Sequence, residues 1–160
     1  MIIFDAFVHW LHIMAAIVWV GGMFFTRFVL APALQQLEPG VRYPLVKSVG
    51  RKFSRIGWIA LGVAALSGSY KVYTAWDPEI IFHSVFGAAL GVKLTLVLFM
   101  VCLSFMHDFV WGPRLADGKL TRGSAEYQAA LSRLIFWARV NVALVLVIVF
   151  AGVFMRMNPF

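Results

Sequence analysis

Four stretches of this 160-residue chain are apolar for about the length that crosses a hydrocarbon core, roughly 20 residues each. They run from about residue 6 to 30, 53 to 72, 84 to 111 and 134 to 155. Lipid offers nothing to bond a backbone N–H or C=O, so such segments fold as helices or as closed barrels. Their unbroken apolar character selects helices. The expectation is an all-α integral membrane four-helix bundle, one transmembrane domain over 1–160. Composition agrees: 62% of residues are hydrophobic and 13% charged, with a mean hydropathy of +0.86. That is far from the balance of a soluble domain.

The net charge of +7 is read as basic loops beside a membrane and not as nucleic-acid binding. Arg42, Lys47, Arg51 and Lys52 lie between spans one and two, flanked by Arg27 and Arg55. Arg114, Lys119, Arg122 and Arg133 lie between spans three and four. The other side has Lys71 and Arg156, with Asp5, Asp77 and Glu79. The positive-inside rule then puts both basic loops in the cytoplasm and both termini outside. Ala31-Pro32-Ala33 imitates a signal-peptide cleavage site. No Lys or Arg precedes the run, and the run is long for a signal core, so it reads as a retained span.

A single cysteine, Cys102, excludes a disulfide framework and cysteine-based metal centres, and reads as a core residue. Ala60, Ala64 and Gly68, and the pair Gly87 and Gly91, mark close helix approaches or a homodimer face.

The chain also repeats itself. "FVLAPAL" (Phe28–Leu34) ends the first span and "FVWGPRL" (Phe109–Leu115) ends the third, an offset of 109 − 28 = 81. Arg55 and Gly68 match Arg139 and Gly152 at an offset of 84. The reading is two parallel helical-hairpin repeats related by an axis along the membrane normal. His12 then corresponds to Lys93. Counted from the starts of their spans, the two lie roughly 9 and 14 Å deep at 1.5 Å per residue.

Ionisable residues at such depth are costly and usually face a bundle interior or a functional slot. The bland alternatives are a neutral imidazole bonded to a carbonyl for His12 and outward snorkelling for Lys93. His9, one turn above His12, reads as an interfacial or supporting residue, and His83 as an interfacial one. His107 and Asp108 form an imidazole–carboxylate pair near the far end of span three, and Arg139 is a partner for it. This would be structural glue or a second site. Ala15, Ala16, Trp19 and Gly22 fall near the His12 face, leaving room for a flat group and a ring to stack on it. Haem b is the flat cofactor that takes an imidazole ligand inside a helical bundle, and it would lie between the two hairpins with Lys93 facing the same slot. Lys71 and Arg156 would meet its propionates. The axial ligand opposite His12 would be Lys93 or His83.

The stretch "WLHIMAAIVWVGGMFFTRFVLAPAL" followed by "RKFSRIGWIALGVAALSG" resembles the CopD family of bacterial inner-membrane proteins. The "LH" at Leu11-His12 and the "VKL" at Val92–Leu94 are also similar to HemJ-type protoporphyrinogen oxidases. The resemblance implies a four-helix membrane unit in which His12 and Lys93 match the family's intramembrane His and Lys. HemJ-type proteins bind haem b and oxidise a porphyrinogen; CopD proteins are linked to copper handling. The chain departs from the HemJ pattern at Gly91, where that group has His, and in the ending of its first span.

The expected function is therefore a haem-b redox protein, either transferring electrons with a membrane quinone or oxidising a small substrate such as a porphyrinogen. In the second role Lys93 serves the substrate. The alternative is copper binding or transport, with His9, His12 and His83 and the thioethers of Met14 or Met23 as ligands suited to copper. A third reading is a non-catalytic membrane partner.

Overall fold

The structure is a computed structural model that describes residues 2–117, 120–121 and 123–157. Among these residues there is helix and turn but no strand. Helix α1 (Ile2–Phe24) continues through a π-helical stretch (Phe25–Leu30) into α2 (Ala31–Gln35). Then follow α3 (Pro39–Thr74), the short α4 (Pro78–His83) and α5 (Val85–Phe105). Helix α5 continues through a second π-helical stretch (Met106–Trp111) into α6 (Gly112–Ala116), and α7 (Ala125–Met157) closes the order.

Three helical stretches are long and apolar enough to cross a membrane: Ile2–Gln35, Val85–Leu115 and Ala125–Met157. Their large side chains are mostly uncovered, as in Phe28, Leu98 and Phe150, which fits surroundings of lipid. Helix α3 is longer than any of them at 36 residues. Its first half carries Arg42, Lys47, Arg51 and Lys52, and Ser67, Gly68, Ser69, Tyr70 and Lys71 dilute its last turns.

The helices outrun the apolar runs. The basic residues expected in the first connecting loop stand on α3 itself, and Arg133 stands on α7. Backbone hydrogen bonds carry a helix past the lipid boundary wherever no breaker intervenes, whereas hydropathy marks only the apolar portion. Pro44 lies inside α3, close enough to its start that few bonds are lost. Lys119 and Arg122, read as loop residues, lie outside the described residues.

Both π-helical stretches end two residues before a proline, Pro32 or Pro113. In each, the wider turn is visible as an i to i−5 bond, from Ala31 N–H to the Thr26 carbonyl and from Gly112 N–H to the His107 carbonyl. A proline ring clashes with the carbonyl four residues back in an α-helix. A π turn widens the coil just there, so the apolar helix continues without a break. The two stretches start 106 − 25 = 81 residues apart and have equal length.

The chain forms two compact units, Met1–Trp76 and Asp77–Phe160. In the first, α1 packs along α3; in the second, α5 packs along α7. Ala15 and Ala60 are buried in the first unit, and Leu90, Met100, Leu103 and Val145 in the second. Cys102, expected in a core, is exposed: two residues from buried Met100, it turns to the opposite face of α5.

The second unit opens with a tight corner. The Asp77 side chain accepts from Glu79 N–H and caps α4. The Ser84 hydroxyl accepts from Gly87 N–H at 3.1 Å and donates to the Ile80 carbonyl. Gly87 is buried against the Ile81 carbonyl, which any side chain at this position would overlap. Gly91, its partner in the GxxxG pattern, faces open space.

Candidate functional site

His12 sits half-buried on α1 and reaches across to α3. Its Nδ1 lies 2.9 Å from the Ala64 carbonyl oxygen and 3.0 Å from the Ser67 hydroxyl. A carbonyl can only accept, so Nδ1 carries the proton and donates it. The buried Ser67 hydroxyl donates in turn to the Val63 carbonyl at 2.6 Å, so its oxygen can accept from the imidazole as well. These bonds fix the tautomer: the neutral ring is protonated at Nδ1 and bears its lone pair on Nε2.

Gly68 lets the ring come this close. A Cβ there would stand 3.1 Å from His12 Cε1 and 3.5 Å from Nδ1. Thus the small-residue row Ala60, Ala64, Gly68 of α3 is the floor on which α1 and its histidine rest. Sequence spacing pointed to that row as a contact face. It gave no sign that Ala64 contributes its carbonyl, or that Ser67 joins the pair.

Small residues expected to leave room for a flat cofactor are taken up by helix packing. Ala15 is only 6% exposed. Gly22 lies beneath the Phe53 ring, and Trp19 lies against Gly57. Between α1 and α3 these contacts leave no room for a macrocycle. Met14 lines an apolar groove with Leu11, Val18, Ile59 and Val63. It lies two residues from His12 and so on another face of α1, which separates that thioether from the imidazole.

Nearer the start of α1 the same face carries two more bonds to α3. His9 Nδ1 is 2.6 Å from Lys71 Nζ. The Tyr70 hydroxyl donates to Asp5 Oδ1 at 2.8 Å. Lys71, read as a propionate partner, meets His9 instead.

In the second unit Lys93 is half-buried on α5. A Cβ on Gly152 of α7 would stand 3.4 Å from its Nζ. The pairs therefore correspond: 93 − 12 = 81 and 152 − 68 = 84, the two offsets of the sequence repeat. Each hairpin sets one polar residue of its first long helix against one glycine of its second.

His107 Nδ1 and Asp108 Oδ1 are 2.9 Å apart on the second π-helical stretch, the pair that their adjacency suggested. Arg139 is exposed on α7, His83 ends α4 and is exposed, and Arg156 stands in the last turn of α7. Among the described residues no three His, Cys, Asp or Glu side chains converge on one point. The Asn141 amide donates to the Ser104 hydroxyl at 2.9 Å, a polar tie between α5 and α7 that sequence reading did not single out.

Three long apolar stretches, with one ionisable residue set against a glycine in each of the antiparallel pairs α1–α3 and α5–α7, define a helical membrane protein with polar residues inside its helix contacts. Residues 47–155 match the family model for CopD, copper resistance protein D. The chain belongs to the CopD family. It is 28% identical over 149 residues to an uncharacterized protein of Aquifex aeolicus (strain VF5), covering 92% of both chains. It is also 28% identical over 126 residues to the copper transport protein CutJ of Bacillus subtilis (strain 168). That alignment takes in 78% of this chain but only 23% of the longer CutJ. No solved structure matches the chain.

Proposed function

We propose that this protein handles copper within a membrane, binding it or passing it across, and that His12 donates its Nε2 lone pair to the ion. The observation that carries this reading is the bond from His12 Nδ1–H to the Ala64 carbonyl. A metal-ligating imidazole characteristically gives its other N–H to a carbonyl or carboxylate, which orients the ring and raises the basicity of the ligating nitrogen. Imidazole is a good ligand for copper. Membership of the CopD family and the similarity to CutJ, a copper transport protein, point to the same cargo. The same bond would orient an imidazole toward a haem iron, and it is the family and CutJ that favour copper over the haem-b redox reading.

The same reading takes α3 as a fourth span beside the three apolar stretches, in one transmembrane domain. It takes the two units as duplicated hairpins. Support comes from the equal π-helical stretches 81 residues apart and from the matched pairs His12–Gly68 and Lys93–Gly152. Lys93 is then the second unit's counterpart of His12, a donor inside the membrane. Both basic stretches lie in the cytoplasm and both termini outside, in the inner membrane of a bacterium.

The test is a Cu(I) titration of the detergent-purified protein against a chromogenic chelator. The His12→Ala protein, with unchanged helicity, loses the copper site. Unchanged copper stoichiometry and affinity in that variant overturn the assignment.

A further inference from the structure

The polar face of α1 does not end at His12. Asp5, His9 and His12 follow one another at i, i+4 and i+7, on one side of the helix. Each meets α3 through a different kind of bond: Asp5 accepts from Tyr70, His9 meets Lys71, and His12 donates to Ala64. The His9 bond is chemically unlike the His12 bond. An ammonium has three donors and no acceptor. At 2.6 Å from Nζ, His9 Nδ1 must be the acceptor. The two histidines are therefore held in opposite tautomers, and the lone pair of His9 Nδ1 is occupied by a cation.

We propose that His9 is the receiving ligand for a cuprous ion on its way to His12, and that Lys71 is a displaceable latch on it. This rests on copper as the cargo of His12. His9 and Lys71 are both exposed, and Lys71 stands in the last turn of α3, so the latch can open at the helix end. Opening breaks the Nζ–H···Nδ1 bond and returns the ammonium to solvent. A nitrogen–copper bond takes its place, with no change of oxidation state. The ion then exchanges His9 for His12, three residues and roughly 4.5 Å further along the helix axis. Asp5 lies one turn before His9 and supplies negative charge at the approach. The three side chains do not converge on one point, which suits a relay. Passage requires sites that hold an ion well enough to receive it and weakly enough to release it. While Lys71 stays in place, its positive charge also repels the incoming cation.

The test is stopped-flow association of Cu(I), with Ag(I) as a redox-inert probe, to the full chain in detergent. Lys71→Met should raise the association rate about fivefold, the order of effect of one unit charge at contact distance in water. Lys71→Arg keeps a cationic donor and should associate like the wild type. His9→Ala should slow association while the final stoichiometry stays the same, because His12 still holds the ion. If wild-type protein binds copper through His12 and Lys71→Met and His9→Ala both associate at the wild-type rate, the latch and relay are overturned and the His12 site stands. If His12→Ala binds copper as the wild type does, the copper assignment of His12 fails, and the relay with it.

Discussion

Gly68→Ala isolates what the His12 hydrogen bond does. The added methyl would stand 3.1 Å from His12 Cε1 and 3.5 Å from Nδ1, where carbon atoms ordinarily rest about 3.5–4.0 Å apart. The ring must retreat by about half an ångström, which stretches the 2.9 Å bond to the Ala64 carbonyl toward the limit of a hydrogen bond. Such a bond contributes about 1 kcal/mol net, or roughly fivefold in an equilibrium constant. Loss of an orienting partner behind a metal-binding histidine typically costs about 10–100-fold in affinity. The expected fall in copper affinity is therefore about tenfold. Stability should move little or in the other direction, because alanine exceeds glycine in helix propensity by up to about 1 kcal/mol. Chelator competition gives the affinity, and thermal unfolding in the same detergent gives the stability. Copper affinity within about twofold of wild type, in a background where His12→Ala abolishes binding, would refute the claim that this bond prepares the ligand; the twofold margin is less than half of 1.4 kcal/mol.

Gly87→Ala should damage the α4–α5 corner, because its Cβ would fall on the Ile81 backbone carbonyl and not on a movable side chain. Overpacking of this kind costs about 1–3 kcal/mol, and limited proteolysis should find new cleavage between Pro78 and Val85. A cysteine introduced at Lys47 should react with an impermeant thiol reagent only after the cytoplasmic side is opened; labelling in intact cells would reverse the proposed orientation.

Much of the fold was legible because lipid demands so little ambiguity. A chain with four apolar stretches has helices to offer, and Phe-Val-x-x-Pro-x-Leu occurring twice pointed to matching structure in each half. The prolines in those motifs are where the π-helical turns formed, a consequence that hydropathy cannot register. Helix ends were misjudged at α3 and α7 for the same reason: backbone bonding, not apolarity, sets where a helix stops. Of the candidate residues, His12 and Lys93 stood out because an ionisable group inside an apolar run is conspicuous. Lys71 was identified as important but matched to a cofactor when its partner is His9, since a side chain's partner depends on which helix faces it.

Residue order by itself determined the helical class and the membrane setting, because these depend on apolar run length. Tertiary structure decided what the small residues are for and which nitrogen of each histidine carries the proton. Ala15 and Gly22 could have bordered a cofactor or a neighbouring helix, and only the approach of α3 shows that they border a helix. His9 and His12 are the same residue one turn apart, yet an ammonium faces one and a carbonyl the other. A donor forces a nitrogen to accept and a carbonyl forces it to donate, so the opposing helix assigns opposite tautomers to chemically identical side chains.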